Sequence, residues 1–182
     1  MGQWFGARSV KCLGLAGVAI DAESRGRGYA RALLVETLRE ARARGFALSA
    51  LYPATVTLYR RVGYELAGSY HRFSLPLAEC PRLPSELLLE PIALDQVAAI
   101  EAVYREAARS RPGYLDRGAY VWERVRMPAA EAARGVLVRG ARGVEGYVYL
   151  RSVRASGEKH ELSLSDFVAL TPNVTLVETQ NA

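Results

Sequence analysis

LAGVAIDAESRGRGYAR, running from Leu15 to Arg31, decides how this chain is read. The apolar run Leu15 to Ile20 predicts a buried strand, Asp21 to Ser24 a polar turn, and Arg25-Gly26-Arg27-Gly28-Tyr29-Ala30 the opening of a helix. A helix start leaves backbone N–H groups without partners and carries the positive end of the helix dipole. Glycines at that point let the main chain approach a ligand closely, because no Cβ stands in the way. With arginines adding fixed positive charge, the loop suits a pyrophosphate.

Three phosphate-binding patterns compete for these residues. A P-loop needs Lys and Ser/Thr after its last glycine, and neither follows Gly28. A dinucleotide fingerprint needs Gly or Ala where Arg31 stands, and an acidic residue at the end of the next strand, which Phe46 to Leu51 lacks. The pattern Arg/Gln-x-x-Gly-x-Gly/Ala between strand and helix is met by Arg25, Gly28 and Ala30. The plain alternative is a solvated strand-to-helix turn, since motifs this short match by chance.

Tyr29 to Arg44 reads as a helix, with Ala30, Leu33, Leu34, Leu38 and Ala41 on one face and Gly45 placed to end it. Phe46 to Leu51 is short and apolar, as a buried parallel strand is, so strand, helix and strand form a βαβ unit. Upstream, the apolar residues of Met1 to Ile20 fit two strands joined near Ala7 to Ser9. Downstream, Val56 to Val62 predicts a short helix stopped by Gly63, and Tyr64–Ala67 and Tyr70–Leu77 an antiparallel pair of strands. Ala78 to Ser85, with Cys80, Pro81 and Pro84, reads as a linker. Beyond it come a strand over Leu87–Ile92, a helix capped by Asp95 and carrying Val97, Ile100, Val103, Tyr104 and Ala107, and a helix over Gly118–Arg126. Strands over 136–138, 146–153 and 160–169 follow, and residues 171–182 are polar and lack helical periodicity.

The 182 residues are half hydrophobic, so a packed core is expected and disorder is not. No apolar run reaches the ~18 residues of a spanning helix, and no charged start precedes a long apolar segment. Cys12 and Cys80 lack a metal-ligand spacing and form no disulfide framework, so neither a metal nor an oxidising compartment is expected; a cytoplasmic location is. The net charge of +5 is almost all arginine, only Lys11 and Lys159 being lysines. These arginines are scattered rather than striped among aromatics, which argues against nucleic acid as a partner.

A second candidate site lies in Leu58-Tyr59-Arg60-Arg61-Val62-Gly63-Tyr64-Glu65. Tyr59 falls in a short helix just after a parallel strand, where an open α/β sheet has its ligand cleft. Acyl transfer from a thioester expels a thiolate, and a phenol with pKa near ~10 is suited to protonate it. The competing reading is that Tyr59 simply packs.

Taken together, VAID-ESRGRGYARALL and ALSALYPAT-LYRRVGYE resemble a GNAT N-acetyltransferase. GQWFGARSV, AGVAI and GYVYLR resemble, more narrowly, the enhanced intracellular survival (Eis) family. The resemblance is specific over about residues 15–67 and looser over 86–170. It implies an α/β (α+β) GNAT fold, a mixed sheet with flanking helices, and a partial second GNAT-like domain that binds no CoA. The organisation expected is an incomplete acetyl-CoA-binding core over 1–77, a linker over 78–85, a partial central domain over 86–170 and a divergent tail over 171–182.

The resemblance also implies transfer of an acetyl group from acetyl-CoA to a primary amine, of a lysine or an aminoglycoside-like acceptor, with no metal. Val18, Ala19 and Ile20 would offer strand backbone to the pantetheine arm. Gly26, Arg27, Gly28, Tyr29, Ala30 and Arg31 would hold the pyrophosphate, Ala54 and Thr55 would line the cofactor, and Tyr59 would protonate the departing thiolate. The family's initial strand and two helices, its later helix after Ala169 and its C-terminal domain have no counterpart in this sequence. The chain is therefore expected to be a core cut at both ends, and a homo-oligomer when complete. The general base of the family is not carried over; His71 and Glu65 are expected to face solvent. The alternative function is a CoA-binding or assembly module without turnover.

Overall fold

The computed structural model describes residues 1–71, 76, 87–128, 131–151 and 163–171. The chain opens with a hairpin, β1 (Gly2–Phe5) against β2 (Arg8–Leu15), in register Gly2↔Lys11 to Phe5↔Arg8. Its two-residue loop is Gly6-Ala7, both at positive φ (52° and 64°), as a tight hairpin of right-twisted strands demands. Helix α1 (Tyr29–Ala43) then returns the chain to β3 (Leu48–Leu51), which pairs parallel with β2 from Cys12↔Leu48 to Leu15↔Leu51. The βαβ unit expected from the sequence is thus present.

Its strand boundaries differ from expectation. β2 ends at Leu15, and Ala16 to Ile20 lie outside any ladder, because β3, the parallel neighbour, ends opposite Leu15 at Leu51. Apolar character alone predicted strand as far as Ile20, but a strand continues only while it has something to pair with. On α1, Leu34 and Ala41 are buried as predicted, whereas Leu33 is half-exposed.

A short helix, α2 (Val56–Arg60), follows β3, and Gly63 at φ 97° closes it. Tyr64 to Ala67 form no strand; the chain there folds back on α2 through bonds from Val62 N–H and Tyr64 N–H to the Tyr59 carbonyl. Most of the second predicted strand, over 70–77, and the linker over 78–85 lie outside the described residues.

The second half contains β4 (Leu88–Pro91), α3 (Val97–Arg109), β5 (Leu115–Asp116), α4 (Ala119–Arg126), β6 (Arg134–Gly140), β7 (Gly143–Arg151) and β8 (Ser163–Ala169). Asp95 does not cap α3; it sits in a 3-10 turn, and Gln96 Oε1 accepts from the Ala93 N–H instead. Two four-stranded sheets result, ordered β3-β2-β1-β5 and β4-β6-β7-β8. The first crosses the expected domain division: β5, from the second half, pairs with β1 at Gly2↔Asp116 and Gln3↔Leu115.

The main core is built from α3, α4, β6 and β7, with Ile100, Tyr104, Ala108, Trp122, Leu137 and Tyr147 among its buried members and Trp4 of β1 packed against it. Among the described residues no helix is long and apolar enough to cross a membrane.

Candidate acyl-donor site

The parallel pair β2–β3 sets the site. Both strands end at the same level, Leu15 opposite Leu51, so 16–20 and 52–55 leave the sheet from one edge. This is the carboxyl end of a parallel pair, where open α/β sheets hold their ligands.

The loop between β2 and α1 has a defined shape. A 3-10 turn (Ala22–Ser24) is closed by Ser24 N–H to Asp21 O (2.9 Å) and Arg25 N–H to Ala22 O (3.3 Å). Arg25 Nε reaches back to the Ile20 carbonyl (3.3 Å), tying the loop to the end of the unpaired segment. Gly26 (φ 77°) and Gly28 (φ 80°) then take the left-handed conformation, and Gly28 is the N-cap of α1. L-residues with a Cβ disfavour that conformation by about 1–2 kcal/mol, which is why glycine recurs.

From Gly26 to Arg31 no backbone N–H has an acceptor among the described residues; the first is Ala32 N–H, bonded to Gly28 O at 3.1 Å. A Cβ at Gly26 or Gly28 would meet nothing within 4 Å, so the cradle is open. Arg27, Tyr29 and Arg31 are exposed around it. Successive free amides at a dipole's positive end, with exposed arginines in the same stretch, have the donors and charge that suit an anion.

Val18, Ala19 and Ile20 do not offer the strand backbone expected of them, since they lie past the end of β2. Their N–H groups are nevertheless unpaired among the described residues, so they remain available to a ligand's amide groups. Ala54 and Thr55 are exposed between β3 and α2, and Thr55 is the N-cap of α2 without a side-chain capping bond. Tyr52 is 80 % exposed and meets Tyr70 edge-on at 6.2 Å.

Tyr59 is buried on α2 with its ring edge-on to Tyr64 (5.9 Å, 79°). Its hydroxyl has no hydrogen-bond partner among the described residues, and it is not among the atoms sealed from solvent without one. It can therefore both pack and present a proton. Glu65 is exposed and paired with Arg60 (3.0 Å), and His71 is exposed, its Nε2 2.7 Å from Ser69 Oγ.

Two residues near the site had no role assigned to them from the sequence. Ser49 on β3 donates to the Leu13 carbonyl of β2 (3.2 Å) and is hydrogen-bonded to the Tyr64 hydroxyl. Burial pushes the Tyr64 phenol above its ordinary pKa; the Ser49 bond opposes this, and nearby Cys12 and Tyr59 add to it. The only sequence signal was an aromatic five residues after Tyr59, behind a glycine. Cys12 beneath them is a fully buried free thiol, its pKa raised by burial.

Residues 4–67 match the family model described as an acetyltransferase (GNAT) domain. The whole chain superposes on a GCN5-related N-acetyltransferase from Anabaena variabilis at TM-score 0.87 and 30% identity, over 99% of this chain and 46% of that one. A GCN5-related N-acetyltransferase from Kribbella flavida is similar at TM-score 0.79 and 26% identity, over 98% and 43% of the two chains. A conserved Enterococcus faecalis protein of unknown function shares the fold alone, at TM-score 0.80 and 22% identity, over 98% and 45%. The chain thus spans less than half the length of these structures. No curated protein matches it.

Proposed function

We propose that this chain carries the acyl-donor half of an N-acetyltransferase, moving the acetyl group of acetyl-CoA to a primary amine of a lysine or an aminoglycoside-like acceptor. The observation that carries this reading is the unbroken run of free amides from Gly26 to Arg31 at the start of α1, flanked by Arg25, Arg27 and Arg31. The run fits a pyrophosphate in charge, donor count and open approach. The unpaired backbone of Val18 to Ile20 would run along the pantetheine arm, with Ala54 and Thr55 on the opposite wall.

In this reading the amine nitrogen attacks the thioester carbonyl, the carbon–sulfur bond breaks and the sulfur leaves with the electron pair. Tyr59 gives its phenolic proton to that sulfur and is re-protonated from solvent, while the new amide loses a proton to solvent. The free hydroxyl of Tyr59 supports the assignment, since a proton already committed to a protein acceptor would be less available. The resemblance of GQWFGARSV and AGVAI to the Eis family supports the choice of amine acceptors, and treats the second half as a domain that binds no CoA.

The test is calorimetric titration with acetyl-CoA, followed by thiol release with lysine peptides and aminoglycosides. Saturable binding with amine-dependent release is expected, and Tyr59→Phe should lower release by about 10²–10⁴-fold with binding kept. Binding without release from any amine would assign a CoA-binding module instead, and no saturable binding would defeat the proposal.

A further inference from the structure

We infer that Tyr64 is the positioning residue of this site: seated on Ser49, it fixes the direction in which the Tyr59 phenol points. The inference rests on the proton-donor role proposed for Tyr59. Helix α2 has five residues and no side-chain cap at Thr55, too little to hold a side chain rigid by itself. Among the described residues no group bonds the Tyr59 hydroxyl. Its aim is therefore set by what grips its ring and its backbone.

Tyr64 grips both. Its N–H donates to the Tyr59 carbonyl (3.2 Å), beside that of Val62 (3.0 Å). Its ring meets the Tyr59 ring edge-on, the favoured geometry for an aromatic pair. Its hydroxyl is bonded to Ser49 Oγ on β3, and Ser49 is bonded to the Leu13 carbonyl on β2. The chain Tyr59–Tyr64–Ser49–Leu13 thus ties the short helix to the two parallel strands whose ends form the cleft.

The hydrogen count gives the two tyrosines different duties. Ser49 has one hydroxyl proton, and it goes to Leu13 O. The bond between Ser49 and Tyr64 must therefore use the Tyr64 proton. Tyr64 has its proton committed, whereas Tyr59 has its proton free. The groups facing Tyr64 are Ser49 from β3, Cys12 from β2 and Tyr59 from α2, and none of them is a cation that would favour a phenolate. Tyr64 is thereby a fixed strut, and its loss should act on turnover through geometry.

The experiment combines steady-state thiol release with NMR of ring-labelled tyrosine, in the full chain. Tyr64→Phe keeps the ring and removes the hydroxyl; Ser49→Ala removes the seat; Ser49→Thr keeps a hydroxyl. Tyr64→Phe and Ser49→Ala should each lower kcat about tenfold, as a misaligned donor does, with KM for acetyl-CoA within about twofold. The double variant should be no worse than either single one, because both break one link. Ser49→Thr should restore most of the rate.

In the wild type the Tyr64 ring should stay un-ionised at a pH where free tyrosine, with pKa ~10, is half-ionised. Tyr64→Phe should shift and broaden the Tyr59 ring signals even if turnover is too slow to measure. An unchanged kcat, an effect on KM alone, an unmoved Tyr59 spectrum or additive losses in the double variant would overturn the inference. If Tyr59→Phe turns over normally, the proton-donor reading fails by itself, and the spectrum then decides whether Tyr64 still fixes the Tyr59 ring.

Discussion

Gly28 and Gly45 stand at opposite ends of α1 in nearly the same backbone conformation, φ 80° and 76°. Only the first borders the run of free amides. Replacing either by valine forces a β-branched residue into the left-handed region, at about 1–2 kcal/mol of stability. Neither new side chain would meet a neighbour at its Cβ, so strain is the whole structural cost. Gly28→Val should in addition lower acetyl-CoA affinity by about ten- to a hundredfold, the worth of one or two hydrogen bonds to a charged group. Gly45→Val should leave affinity unchanged. Chemical denaturation and calorimetry on the two variants separate strain from site: equal losses of affinity would mean that Gly28 matters only to the fold.

At the scale of elements, α1 is the piece whose ends are best specified. Its C-terminus is a Schellman turn, with Phe46 N–H on Ala41 O (3.0 Å) and Gly45 N–H on Arg42 O (3.0 Å). Lys11 of β2 completes it: its ammonium donates to the Arg44 carbonyl (2.9 Å) and lies 4.3 Å from the centre of the Phe46 ring. A cation at the negative end of a helix is worth about 0.3–1 kcal/mol at an exposed site. Lys11→Met keeps the aliphatic stem, so urea unfolding should show a loss in that range, shrinking as salt is raised. A loss indifferent to salt would assign the effect to packing instead. This helix was legible in the sequence because its signals are local: the period of Ala30, Leu34, Leu38 and Ala41, the glycine at 28 and the glycine at 45. The end of β2 was not, because a strand stops where its partner stops, and Leu51 is 36 residues away from Leu15. β5 was invisible for the same reason: two residues, Leu115 and Asp116, become a strand only because Gly2 and Gln3 lie beside them. In the site, the glycine loop and Tyr59 could be named from spacing, whereas the Tyr64–Ser49 link depends on a contact between α2's return and β3.

Across the molecule, β5 is where the two halves are joined. Its residues pair with β1, Ser9 Oγ of β2 donates to Asp116 Oδ2 (2.6 Å), and Trp4 exchanges backbone bonds with Tyr114 and Gly113 (2.8 Å each). On its other side, the Tyr104 hydroxyl of α3 donates to the Leu115 carbonyl (2.9 Å). The next residue, Arg117, enters the second half's core. Its guanidinium forks onto Asp166 of β8 (2.6 and 2.9 Å), lies 3.6 Å from the centre of the Tyr104 ring, and shares Asp166 with the Tyr147 hydroxyl (2.7 Å). Burial works against the charge of Arg117, but the Asp166 carboxylate outweighs it and holds the guanidinium pKa above its ordinary value. Burial and the same carboxylate push the Tyr147 phenol up. Removing one member of a buried ion pair strands the other, which typically costs about 3–5 kcal/mol, whereas replacing both with apolar groups is often neutral. Arg117→Ala should therefore lower unfolding stability by about that amount. Arg117→Met combined with Asp166→Leu should recover most of it. Arg139→Ala, which breaks the more exposed pair with Glu90 on the same sheet, should move the unfolding midpoint little. Because β5, the edge strand of the first sheet, leads directly into this cluster, Arg117→Ala should also speed amide hydrogen exchange in β1, at Gly2 to Phe5, beyond what global unfolding accounts for. Faster exchange confined to β8, with β1 unchanged, would show that the two sheets open independently and that the second half does not brace the candidate site.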